Sequence, residues 1–142
     1  MPTSNANQPV FNPADFVQGQ PIDNKFLPYA LDTTFVYDTF TSDNKLEQID
    51  TVTVTETTKK IDGVTCTVVS DVVKDTQSGQ VLEKTQDYFA QDKSGNVWYF
   101  GEAARQYDNG KLVGKEGSWQ AGVHGALPGI RHGSAPTDRR QL

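Results

Sequence analysis

From Thr33 onward, apolar and polar positions alternate in short runs separated by turn residues. Residues 34–40 read Thr-Phe-Val-Tyr-Asp-Thr-Phe, a β-branched and aromatic composition that suits a pleated, half-buried surface. Val52-Thr53-Val54-Thr55 and Val64-Thr65-Cys66-Thr67-Val68 alternate strictly, which predicts strands with one face turned inward. Ile49 sits on the opposite parity from Val52 and Val54, and a bulge near Asp50 would absorb that slip. Asp62-Gly63 lies between Ile61 and Val64, and Asn109-Gly110 recurs downstream. Both dipeptides tolerate the two positive φ angles that a type I′ hairpin turn demands. Further turns are predicted at Ser42-Asp43-Asn44, Gln77-Ser78-Gly79 and Asp92-Lys93-Ser94-Gly95. The runs between them, 46–57, 64–73, 81–91, 96–107 and 111–119, are joined by linkers too short for parallel crossovers. About seven strands without a helical period predict an all-β protein. Its sheet is an antiparallel up-and-down meander that curls into a barrel or half-barrel, with a two-sheet β-sandwich as the alternative.

The flanks break this pattern. Residues 1–30 are rich in Asn, Gln and Pro, with prolines at 2, 9, 13, 21 and 28, which predicts an extended arm. Asn12 can cap one helical turn that has Pro13 in its first position. Phe11, Phe16, Val17, Ile22, Phe26 and Leu27 give the arm enough apolar surface to lie on a sheet edge or barrel mouth. After Gln120 the alternation is lost, and Gly122, Gly125, Pro128 and Gly129 predict an irregular loop. One β-domain over 31–130, followed by a flexible tail over 131–142, is the expected organisation.

Composition narrows the function. The 142 residues suffice for one well-buried core. A net charge of -5, with the only basic cluster in the tail at Arg131, Arg139 and Arg140, argues against nucleic acid as a partner. No apolar run is long enough to span a membrane, and the chain shows no signal-peptide core. The single Cys66 lies in an alternating strand and reads as a small buried hydrophobe. His124 and His132 lack the spacing of a helical zinc pair. The segment from Asp92 to Asn96 resembles a calcium loop, yet its twelfth position is Ala103, where a glutamate is required. Phosphate-loop, dinucleotide and nucleophile-elbow motifs are absent, and Ser118 has no evident base. The expectation is therefore no metal, no cofactor and, as partner, a small molecule.

The turn types lay out the stretch from Thr85 to Trp119. A four-residue loop at 92–95 would set Gln91 opposite Asn96, Phe89 opposite Trp98, Asp87 opposite Phe100 and Thr85 opposite Glu102. The Asn109-Gly110 turn would set Tyr107 opposite Leu112, Phe100 opposite Trp119 and Glu102 opposite Gly117. Phe89, Trp98, Phe100 and Trp119 would then share a face with Asp87 and Glu102. Tyr88, Val97, Tyr99 and Tyr107 would occupy the other face, with Glu116 beside Ala103. Such a patch is either a core of stacked rings, each cross-strand pair contributing roughly 0.2–1 kcal/mol, or a concave pocket for a polar or cationic group. Gly101 and Gly117 remove bulk around Glu102, which favours a cavity there. The candidate binding residues are Phe89, Trp98, Tyr99, Phe100 and Trp119. Glu102 is the candidate general acid or base, assisted by Asp87 or Glu116, with Arg105 or Lys115 as counterions.

Three groups of residues carry a family resemblance: Ile22-Asp23-Asn24-Lys25-Phe26-Leu27-Pro28; the hairpin from Ile61 to Cys66; and Trp98-Tyr99-Phe100-Gly101-Glu102 with Glu116-Gly117-Ser118-Trp119-Gln120-Ala121-Gly122-Val123. Over roughly residues 11–130 the chain resembles a family of bacterial secreted or lipoprotein-type β-proteins of uncharacterised function. The resemblance implies a secreted, periplasmic or envelope location, although Met1-Pro2-Thr3-Ser4 also suits a cytosolic start. This chain has Gln120 and His124 where the family carries acids, and it ends differently after Ile130. Three functions follow as expectations: a module binding a small, partly apolar ligand, a hydrolase or isomerase using Glu102, or an interaction domain with a filled core.

Overall fold

The computed structural model describes residues 10–25, 27 and 29–132. Strands β1 (Thr34–Phe40), β2 (Leu46–Ile61), β3 (Val64–Asp75), β4 (Val81–Gln91) and β5 (Val97–Asp108) pair in sequence order, each antiparallel to the last. The far edge of β5 is shared by three short strands. β8 (Gly129–His132) covers residues 97–99, β7 (Trp119–Gln120) covers 101–102, and β6 (Lys111–Gly114) covers 106–108. The result is the expected all-β meander, curled into a half-barrel.

The hairpin chemistry holds where the sequence is most specific. Asp62 and Gly63 have φ of 52° and 82°, and Asn109 and Gly110 have 48° and 79°, as a type I′ turn requires. Tyr107 lies opposite Leu112. The expected bulge near Asp50 is displaced. Asp50 pairs without interruption with Tyr37 and Val73; β2 slips against β1 at Glu47, where Thr39 pairs with Gln48 but Phe40 with Leu46, and against β3 between Val54 and Thr58. There Thr55 donates from Oγ1 to the Val68 carbonyl (2.7 Å) and accepts from the Thr57 amide (3.2 Å). Ile49 needs no slip, because both faces of the sheet carry apolar packing and either parity is partly buried. Residues 111–119 do not form one strand. β6 stops at Gly114, and the hydroxyl of Ser118 stands in for a ladder partner, accepting from Ala104 N (2.9 Å) and donating to Ala104 O (3.2 Å). β8 adds a strand where the glycines predicted only loop, and the chain beyond His132 lies outside the described residues.

The sheet is buttressed on both sides by the arm. On one face Ile61, Val64, Cys66, Val68, Tyr88, Ala90, Trp98 and Phe100 pack with Phe16 and Ala121, and Phe11 lies against them. On the other, Val54, Val69, Phe89 and Val97 pack with Ile22 and Leu27, with Tyr29 alongside. Asn12 accepts from the Ala14 amide (3.0 Å) to cap the 3₁₀ turn Pro13–Asp15. The arm then rounds the β4–β5 turn, held by Lys93 N to Asp15 O (2.8 Å), Asn24 Nδ2 to Gly95 O (2.8 Å) and Asn24 N to Gln91 Oε1 (2.9 Å).

Asp92 fastens this end. It is buried, and its carboxylate accepts from the amides of Ser94 and Asn96, from Asn96 Nδ2 and from Trp98 Nε1, all at 2.9 Å. An amide at this position presents N–H groups to side-chain donors that need an acceptor. Asp92→Asn is therefore expected to lower stability by about 1–2 kcal/mol, read as a lower urea midpoint at unchanged slope.

Candidate functional site

The β4–β5 register decides which side chains meet. The loop has three residues rather than four: the Asp92 amide donates to Asn96 O (2.8 Å) and Gly95 takes φ of 91°, so Gln91 pairs with Val97. A second slip follows between Tyr88 and Phe89, where Phe89 pairs with Tyr99 but Tyr88 pairs with Gly101. Together they set Asp87 directly opposite Glu102. The expected pairs Phe89 with Trp98, Asp87 with Phe100 and Thr85 with Glu102 are thus corrected by one or two residues.

Faces change accordingly. Trp98 and Phe100 join the core cluster of Tyr88, where Phe100 is fully buried and the rings of Phe11 and Phe16 meet them edge-on or tilted. Phe89 and Tyr99 lie on the opposite side with their rings stacked 5.0 Å apart. Trp119 pairs with Glu102, in place of the expected pairs Phe100 with Trp119 and Glu102 with Gly117, and its ring meets Tyr99 edge-on at 5.1 Å. Glu116 is exposed, its backbone bonded to the side chain of Gln106, and it takes no part in this arrangement. Five expected site residues therefore converge (Asp87, Phe89, Tyr99, Glu102 and Trp119), while Trp98, Phe100 and Glu116 fall elsewhere.

Asp87, Phe89, Tyr99 and Glu102 line a cavity of about 360 Å³ together with Tyr29, Val52, Asp71 and Arg131. Its acidity has a structural cause. Asp50 and Asp71 occupy inward positions on β2 and β3 that continue the faces of Val52, Val54 and Val69. Each keeps a buried carboxylate oxygen, Oδ1, without a hydrogen-bond partner. Burial, then a hydrogen bond shared with Asp50 and its charge, push Asp71 up to about 8. A proton on Asp71 removes one of two like charges and gives the pair a donor. Asp87 is pushed up to about 6, by burial first and by Glu102; the Tyr99 hydroxyl, donating at 2.9 Å, and Arg131 oppose the rise. Burial and the Asp87 carboxylate likewise raise the Tyr99 phenol, and burial raises Tyr29.

Glu102 is half-buried, and no ion pair within 4 Å joins it to Arg105 or Lys115, the counterions expected for it, among the described residues. It sits against Gly117, where an added Cβ would lie 3.0 Å from Oε1. The sequence reading missed Asp50, Asp71, Tyr29 and Arg131. Asp71 had a visible signal, since it shares parity with Val69 and Val73 in an otherwise apolar inward row. Tyr29 and Arg131 arrive from the arm and from β8, which no local pattern connects to β4 and β5. Among the described residues, no group of three His, Cys, Asp or Glu side chains is placed to hold a metal ion. No helix among them is long and apolar enough to cross a membrane. Comparison with protein-family models, curated proteins and solved structures gives no match.

Proposed function

We propose that the protein is a binding module whose half-barrel takes a small, partly apolar organic cation, with an amine or quaternary ammonium as the recognised group. The carrying observation is the cavity that sets the rings of Tyr29, Phe89 and Tyr99 beside Asp71, Asp87 and Glu102. Aromatic faces and carboxylates both attract positive charge, and a cavity of this volume lies at the lower end of small-ligand sites. Arg131 also borders the cavity, and its charge opposes the rise at Asp87. The resemblance at residues 98–102 and 116–123 supports a secreted or envelope setting for this module.

Benzylamine and its neutral isostere benzyl alcohol test the idea, with fluorescence of Trp119 as the readout. Benzylamine is expected to saturate, and benzyl alcohol to bind at least about tenfold more weakly. Asp87→Asn is expected to narrow that gap by weakening the amine alone. Equal affinity for the two probes would remove the cationic reading.

One observation favours a second reading, acid–base catalysis of a hydrolysis or isomerisation: Asp87, pushed up to about 6, faces Glu102 across the strands. Asp87 rather than Glu102 is then the proton carrier. This reading requires turnover with an inflection near that pH which Asp87→Asn abolishes, whereas a ligand recovered unaltered favours binding alone.

A further inference from the structure

A second, larger cavity of about 660 Å³ lies between β5 and the segment 115–126, at the margin of the core cluster that contains Tyr88. Its chemistry is opposite to that of the acidic pocket. Lys59, Arg105 and Lys115 border it, with His124 beside them, against the single carboxylate of Glu102. Three cations around one cavity run counter to a chain whose net charge is -5. None of the three makes an ion pair within 4 Å with a described carboxylate. Lys59 Nζ stands 4.9 Å over the Tyr88 ring, which fixes the ammonium at the apolar wall.

Two further features point the same way. Arg105 stands directly opposite Lys84 across β4 and β5, and like charges in facing positions cost stability unless something neutralises them. A smaller hollow of about 160 Å³, bordered by Lys84, Arg105 and Ala103, adjoins the large cavity along Ala103 and Arg105. The walls between the charges are apolar: Tyr88, Ala103, Trp119, Val123 and Ala126. The geometry points to a binding site for a small anion, a phosphate or carboxylate group carried on a short apolar body. The anionic end is held by Lys59, Arg105 and Lys115, and the body lies along Tyr88 and Trp119. The site stands apart from the amine pocket, sharing only Glu102 with it as a lining residue.

Phenyl phosphate, benzoate and inorganic phosphate at low ionic strength are the probes, followed by amide and indole chemical shifts. A saturable response confined to residues 103–105 and 115–126, with millimolar or tighter affinity, is expected for phenyl phosphate or benzoate. The tighter of the two identifies the anionic group, and weaker binding of inorganic phosphate confirms the apolar body. Lys59→Gln combined with Arg105→Gln, both at exposed positions, should weaken that probe about tenfold. Asp87→Asn, at a residue that lines the amine pocket and not this cavity, should leave it within about twofold. An absent response, or equal affinity in the wild type and the double variant, overturns the proposal. Because Asp87→Asn weakens benzylamine and not the anion, failure of either site is seen separately.

Discussion

Gly101→Ala is expected to destabilise the protein by about 3–5 kcal/mol and to release β7 from the sheet. Gly101 has φ of +148°, and a Cβ built on it would lie 2.5 Å from the Trp119 carbonyl oxygen and 3.0 Å from the Gln120 Cα. Both contacts are backbone, so no rotamer change relieves them. β7 would have to lift, taking with it the Glu102–Trp119 pair and the 2.8 Å bond from the Ala121 amide to Phe100 O. Gly79→Ala is the control: φ there is +72° with nothing within 4 Å of the new Cβ. It should cost only the left-handed penalty of about 1–2 kcal/mol. Urea unfolding measures both variants, and a red-shifted Trp119 emission before the main transition reports the loosened β7. Equal costs for the two glycines would mean that close approach at Gly101 is unimportant.

The carboxylate cluster should make stability fall as pH rises. Asp71 at about 8 and Asp87 at about 6 both stand above the ordinary aspartate value near 4. Between roughly pH 4 and 8 the folded chain therefore holds more protons than the unfolded one, and stability declines with rising pH across that window. The Asp71 contribution is fully present below about pH 4 and lost as pH passes about 8; that of Asp87 is lost by about 6. Asp71 is only half withdrawn from water. With that screening allowed for, a loss of about 2 kcal/mol, or roughly 5 °C in Tm, is expected over the window. Asp71→Asn should raise Tm at the alkaline end and flatten the curve above about pH 6, since the amide is neutral and can donate to Asp50. Amine affinity should run the other way, rising about tenfold or more from pH 5 to pH 8 as the carboxyls ionise. Scanning calorimetry and titration calorimetry at matched pH give both signs. A flat Tm profile in the wild type would refute the clustered-carboxylate account.

By itself the sequence determined the local geometry. Period-two alternation specified strands, Asp62-Gly63 and Asn109-Gly110 specified tight antiparallel turns, and short linkers left a meander as the topology. It also singled out Asp87, Phe89, Tyr99 and Glu102 on the β4–β5 hairpin as candidates, and these four line the acidic cavity. Tertiary structure decided which of them face one another. A three-residue loop and a bulge at Phe100 each moved the register by one, and because side chains alternate with a period of two, such slips exchange faces. Trp98 and Phe100 went to the core and Tyr99 to the pocket for that reason. Asp71, with Asp50 beside it, Tyr29 and Arg131 reach the pocket through cross-strand, arm and β8 placements whose sequence separation leaves no local trace. The acidity of the site is therefore a property of the curled sheet, which buries together carboxylates that are far apart along the chain.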